Sequence, residues 1–233
     1  MMSVPKPKIT SSFKKKVKKD WHTQLPSFTI REKTFNLSRV VGPLLITIGF
    51  GVPRGNEDYE PNFGVHNLCN IEEALYSMLD EPLRTIRTNG PDSITVRGHE
   101  AGKYLEAAER MKTQAYLPLE GTISVSMIWE AYRKYHGIHP NSGLIDQLQD
   151  PALIAAWAGR PDIAQKALDW GYGEFLKWPE NLQYDPDYGS SPEAWRASME
   201  ERIAHPEVLR KISKQEIIKH NLTYIPQEEL IPE

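Results

Sequence analysis

A chain of 233 residues, 39% hydrophobic and 25% charged, is long enough for a sizeable core and ordinary for a globular protein. One cysteine, 15 glycines and 18 prolines exclude a disulfide scaffold and a collagen-like repeat. The net charge of −3 hides an asymmetry: residues 1–20 carry seven lysines against one aspartate, a local +6, and the rest carries −9.

Residues 1–9 hold two prolines and no helical pattern, and read as a tail. Ser11 or Ser12 is expected to cap a helix starting near Phe13. Phe13, Val17, Trp21 and Leu25 form a narrow apolar stripe, lysines fill the other faces, and Pro26 ends the helix. Phe28 to Phe35 alternates as a half-buried strand, and Val40 to Val52 reads as one strand buried on both faces, with Pro43 near its start. Arg54 to Asp58 signals a turn, and Pro61 to Cys69 reads as the returning strand. Ile71 to Leu79 is expected as a short helix, then Leu83 to Thr88 and Ser93 to Arg97 as a further hairpin.

From residue 98 the period changes to that of a helix. His99 to Thr113 places Tyr104, Leu105, Ala108 and Met111 on one side, and Thr122 to His136 does the same with Val125, Ile128, Trp129, Tyr132 and Tyr135. Asp150-Pro151 opens a helix through Trp157, Pro161-Asp162 one through Trp170, and Ser191-Pro192-Glu193 one through Ile203. Pro206 to His220 is the last helix, and residues 225–233 read as a frayed tail. Strands grouped before helices predict an α+β fold: an N-terminal helix and small antiparallel sheet, then a helical C-terminal half. Residues 1–97 are expected as the sheet unit and 98–233 as a helical extension packed on it in one compact domain.

Tests for chemistry return little. Gly49-Phe50-Gly51 begins a dinucleotide loop, but Arg54 stands where the third glycine belongs. His66 and Cys69, three apart on an expected strand, fall on opposite faces and cannot form a thiolate–imidazole pair. His136-Gly137-Ile138-His139 offers two imidazoles without the glutamate of a zinc helix, and a calcium loop begun at Asp185 meets Arg196 at its twelfth position. No metal and no cofactor is expected. One cysteine, no apolar signal segment and no apolar run long enough to cross a bilayer lead to the expectation of a cytoplasmic, soluble chain.

The lysine-rich helix ending in Asp20-Trp21 is followed by Arg39-Val40-Val41-Gly42-Pro43-Leu44-Leu45 and by Pro61-Asn62-Phe63-Gly64-Val65-His66-Asn67-Leu68. Over residues 10–70 this pattern resembles small bacterial α+β domains that in turn resemble immunity proteins of toxin-based competition systems. The resemblance implies a non-catalytic protein that occludes a cognate toxin, and it brings no active-site residues with it.

The residues themselves add a candidate surface. Trp170, Tyr172, Trp178, Tyr184, Asp185, Asp187 and Tyr188 combine aromatic anchors with carboxylates in a proline-bearing loop region, a composition suited to a protein partner such as a basic toxin domain. Two other readings stay open: a hydrolase using Glu57, Asp58, His66 or His99, and a nucleic-acid or membrane accessory protein using the lysine helix. The −9 body argues against nucleic acid, because a duplex-binding surface needs spread positive charge.

Overall fold

The computed structural model describes residues 7–55, 57–85, 90–140, 145–183 and 191–233. The fold is α+β. Helix α1 (Ser11–Gln24) is followed by strands β1 (Thr29–Ile30), β2 (Asn36–Val41), β3 (Leu44–Gly51), β4 (Asp58–Asn67), β5 (Glu81–Pro82) and β6 (Ile94–Thr95). Helices α2 (Val96–Glu100) and α3 (Lys103–Gln114), strand β7 (Ile123–Ser124) and helices α4 (Val125–Ile138), α5 (Asp146–Trp157) and α6 (Pro161–Phe175) come next. Helices α7 (Pro192–Ile203) and α8 (Pro206–Lys219) and strands β8 (Gln227–Glu228) and β9 (Leu230–Ile231) complete the chain.

Among the described residues the main sheet runs β1-β2-β3-β4-β5, with β6 paired to β4 and β8 paired in parallel to β2. Its antiparallel register sets Thr29 against Ser38 and Asn62 against Pro82. A second, parallel pair joins β7 to β9, with Ile123 opposite Leu230. The chain divides into two compact units, one of Met1–Arg39, Ile46–Val65 and Asp80–Gly121, the other of Val40–Leu45, His66–Leu79 and Thr122–Glu233.

In the first unit the expected stripe of α1 is the buried one: Phe13, Val17, Trp21 and Leu25 are all core residues. Thr10, rather than Ser11 or Ser12, caps the helix, its hydroxyl accepting from the Phe13 N–H. Trp21 packs at 5.3 Å from Phe50, and Phe50 at 5.1 Å from Phe35. The expected strand from Phe28 to Phe35 shrinks to the two residues of β1, and the backbone beyond it becomes a loop. Lys18 explains that loop. Its buried ammonium donates to the carbonyls of Arg31, Glu32 and Thr34, groups that a strand would otherwise have to pair. The expected helix 99–113 is cut in two at Gly102, whose φ of +85° no helix tolerates. Leu105 is exposed, and Ala107 joins Ala108 and Met111 on the buried face. Of the hairpin expected between 83–88 and 93–97, Leu83–Thr85 pairs with Gly90–Asp92 around an antiparallel Arg84–Pro91 bridge, β6 pairs with β4, and residues 86–89 lie outside the described residues.

The apolar run from Val40 to Val52 is two strands, not one. Gly42 takes φ +54° and Pro43 lacks an N–H, so the run folds back between β2 and β3. Val40, Leu45, Leu68, Leu222 and Ile225 form a core cluster of the second unit, with Leu75 and Ile217 packed against it. Residues 71–79 form no helix. Their backbone is held by side chains from elsewhere: the Glu72 N–H donates to the Glu216 carboxylate, and Tyr76 O meets His66 Nδ1 at 2.6 Å. Helices α7 and α8 begin at Pro192 and Pro206, as the prolines predict. Helix α5 begins a turn before Asp150-Pro151, because its first turn is buried and only one helical N–H is lost at Pro151.

Residues 225–233 are not frayed. Ile225 and Leu230 are buried, and the Gly42 N–H donates to Glu228 O at 2.8 Å. A Cβ on Gly42 would come within 2.7 Å of the Leu230 Cβ, so glycine here is needed for both its φ and its lack of a side chain. Leu230→Ala is expected to cost about 2–4 kcal/mol in urea unfolding. A loss below about 0.5 kcal/mol would place the tail outside the cooperative fold.

Candidate functional site

Two buried polar clusters use residue types that enzymes use, one in each unit. In the first unit, the Trp21 indole N–H donates to the Tyr59 oxygen at 3.0 Å, and that hydroxyl lies 2.8 Å from His99 Nδ1. His99 Nε2 lies 2.9 Å from Asp20 Oδ2, which also receives Lys16 at 2.5 Å. One arrangement satisfies the Tyr59 hydroxyl and both ring nitrogens: Tyr59 O–H donates to Nδ1, and Nε2–H donates to an ionised Asp20. Burial holds the His99 pKa down against the pull of Asp20. Burial works to raise Asp20, but the hydrogen bonds from Lys16 and His99 outweigh it and keep the carboxyl below its ordinary value. Phe13 meets the His99 ring edge-on at 5.3 Å and Tyr104 stacks on it at 4.5 Å. Both ring nitrogens are consumed internally, which leaves no lone pair to take a substrate proton.

In the second unit, Asp150 is fully buried. Its Oδ1 accepts from Asn67 at 2.9 Å and Asn70 at 3.2 Å, and its Oδ2 accepts from the Tyr132 hydroxyl at 2.8 Å. Arg202 of α7 completes the group, donating to Asn70 Oδ1 at 2.7 Å. Burial, with the nearby Asp146 charge, pushes the Asp150 carboxyl up to about 7 against the opposing pull of Asn67, Tyr132 and Arg202. Cys69 sits in the turn after β4, not on the strand, and burial raises its thiol well above the ordinary range, so it is not a nucleophile at neutral pH.

The other candidate groups disperse. Asp58 takes a hydrogen bond from Ser93, while His66 belongs to the other unit and holds Tyr76. His136 Nε2 lies 3.4 Å from Glu174, and His139 packs on Tyr135 with centroids 4.6 Å apart. Among the described residues no group of three His, Cys, Asp or Glu is placed to hold a metal. No helix of the described residues is long and apolar enough to cross a membrane. Within the lysine run, Lys18 is buried, Lys16 pairs with Asp20, and Lys14 lies 5.3 Å from the centre of the Phe35 ring. Lys15, Lys16 and Lys19 are its exposed members, and of these Lys16 is the one paired with Asp20.

Of the expected partner-binding residues, Tyr184, Asp185, Asp187 and Tyr188 lie outside the described residues. Trp170, Tyr172 and Trp178 are half-buried and turn to different neighbours. Trp170 meets Trp129 edge-on at 5.2 Å and His136 at 5.4 Å, beside a cleft of about 430 Å³ that Arg133 and Glu174 also line. Tyr172 donates to Glu193 at 3.3 Å, and the Arg196 guanidinium lies 4.9 Å over its ring. Trp178 packs edge-on against Phe175 at 5.1 Å.

The carboxylates of α6 and α7 share the surface with these rings. Arg196 binds Asp169 at 2.7 Å and Glu200 at 2.9 Å. Residues 169–207 contain nine acidic and three basic residues, a net of −6 within the −9 body. Asp169, Glu180, Glu193, Glu200 and Glu201 are exposed. The spacing of Arg196 and Glu200 on one helix was readable as a pair, whereas Asp169 joins them only through the pairing of α6 with α7. Asp150 carries no local signal of its role, because that role exists only once Asn67, Asn70 and Tyr132 surround it.

The chain matches no protein-family model, no curated protein and no solved structure.

A native pKa above the unfolded one means the folded state holds a proton that the unfolded chain has released. Asp150 should therefore lower stability as pH rises from about 4 to about 7, with no further change above. Asp150→Asn removes this component, so the stability difference between wild type and variant should change by about 1.4 kcal/mol per pH unit across that window. Parallel unfolding curves at every pH would contradict the assignment. Tyr132→Phe, which strips one donor from the carboxylate, is expected to cost about 1.5–3 kcal/mol at pH 8.

Proposed function

We propose that this chain is a non-catalytic binding protein, an immunity protein that acts in the cytoplasm by occluding a cognate toxin, and that its contact surface is the acidic face of α6 and α7. The observation that carries the reading is the net of −6 in the sequence from 169 to 207, which runs from the second half of α6 through α7 to the start of α8, together with exposed Asp169, Glu193, Glu200 and Glu201 on α6 and α7 and half-buried Trp170, Tyr172 and Trp178. Such a surface attracts a basic enzyme domain over several ångströms and raises the rate of encounter. The aromatic rings supply rigid apolar area at low entropic cost. The internally satisfied His99 and Asp150 clusters support the same reading, because both spend their polar atoms on the fold.

Co-expression with the products of neighbouring genes, followed by size-exclusion chromatography, is expected to yield a complex. Glu180→Lys with Glu201→Lys alters two exposed side chains and is expected to slow association with that partner about tenfold at low salt, with little change in dissociation. Failure of every neighbouring product to bind would overturn the reading. A complex indifferent to the charge reversal would move the contact surface elsewhere.

A further inference from the structure

A groove in the second unit has features that the binding face on α6 and α7 does not use. It encloses about 520 Å³ and is lined by one face of α8, by Trp157 at the end of α5, and by Gly42, Gln227 and Glu228. That volume is within the range of small-molecule sites. Trp157, Ile217 and Ile218 supply its apolar wall, and Ile218 is 66% exposed although it is a large aliphatic residue.

The wall is preformed. The Trp157 indole N–H donates to Ser213 Oγ at 3.0 Å, and the Trp157 carbonyl accepts from Arg210 Nε at 2.9 Å. A Cβ on Gly42 would lie 3.1 Å from the Trp157 ring, so glycine at this position lets the ring stand against the strand. A ligand meeting this wall has no ring to reorient before it binds.

The charge of the groove is directional. Arg210 and Lys214, one turn apart on α8, both line it. Arg210 spends Nε on the Trp157 carbonyl, which anchors the guanidinium at the end of α5. Its terminal nitrogens and the Lys214 ammonium have no hydrogen bond or ion pair among the described residues. The acidic residue of the groove, Glu228, is on β8 and disfavours an anion at that end.

We propose that this groove binds a small amphipathic monocarboxylate, its apolar body on Trp157, Ile217 and Ile218 and its carboxylate on Arg210 and Lys214. The pairing of a fixed apolar wall with two cations on one edge fits such a molecule better than a neutral or cationic one. The bound carboxylate adds charge-assisted hydrogen bonds, and the tail displaces water from an aliphatic surface that the fold leaves open.

Titration calorimetry of the full chain tests this with decanoate, decanol and decyltrimethylammonium, each kept below its aggregation concentration. Decanoate is expected to bind saturably with a negative heat-capacity change, more tightly than decanol, while the cation shows no saturable heat. Lys214→Gln changes an exposed side chain and is expected to weaken decanoate about fivefold and leave decanol unchanged. Ile218→Asp is expected to weaken both. No saturable binding of decanoate would overturn the proposal, and so would decanoate binding that neither substitution alters. Equal affinity for decanoate and decanol, with Lys214→Gln silent, would overturn the assignment of the carboxylate to α8. None of these outcomes depends on the surface of α6 and α7.

Discussion

A carboxylate shut away from water must be held by donors, and in the second unit that requirement falls on Asp150. Its oxygens draw Asn67 and Asn70 from the end of β4 and the following turn, and Tyr132 from α4. Arg202 of α7 then binds Asn70, so the charge at the centre reaches the helix that carries the acidic surface. Burying an ion this deeply costs several kcal/mol, and these partners offset only part of it, which is why the carboxyl is pushed up to about 7. The arrangement is therefore all-or-none: α4, α5, α7 and the turn after β4 must be placed together. Cys69, in that turn, is sealed by the same packing and its thiol stays protonated.

The first unit answers a similar problem with a chain of hydrogen bonds from Trp21 through Tyr59 and His99 to Asp20. Aspartate, histidine and tyrosine in series are the residues of proton-transfer sites, yet here both His99 nitrogens and the Tyr59 hydroxyl are used within the protein. Catalysis requires a group whose proton or lone pair is available to something that arrives from outside. By that criterion the two ring nitrogens of His99 and the bonded oxygens of Asp150 are spent on holding the fold together.

What could be read from the residues depended on how local the cause was. Proline starts and a capping serine placed α7 and α8, and the four-residue spacing of Phe13, Val17 and Trp21 placed the buried face of α1. These are decided within a turn or two of chain. The Val40 to Val52 run reads as one strand with Pro43 near its start because hydrophobic continuity conceals a reversal, whereas Gly42-Pro43 is the turn itself. The loops at 31–34 and 71–79 escaped for a different reason. Lys18, Glu216 and His66 take their backbone groups, and those partners are distant in sequence. Strands β8 and β9 were invisible at two residues each, since they exist only because β2 and β7 are there to pair with. The aromatic and acidic composition of the candidate site is plain in the sequence, but the different neighbours of Trp170, Tyr172 and Trp178 are not, because they follow from tertiary packing.

The proposed mode of action is a contact surface on α6 and α7, not a catalytic centre. Hydrogen–deuterium exchange of the full chain, alone and with the partner captured by co-expression, addresses it most directly. New protection concentrated in residues 161–183 and 191–203 is the predicted result. Protection confined to the lysine-bearing helix at 11–24, or to residues around His99, would contradict it.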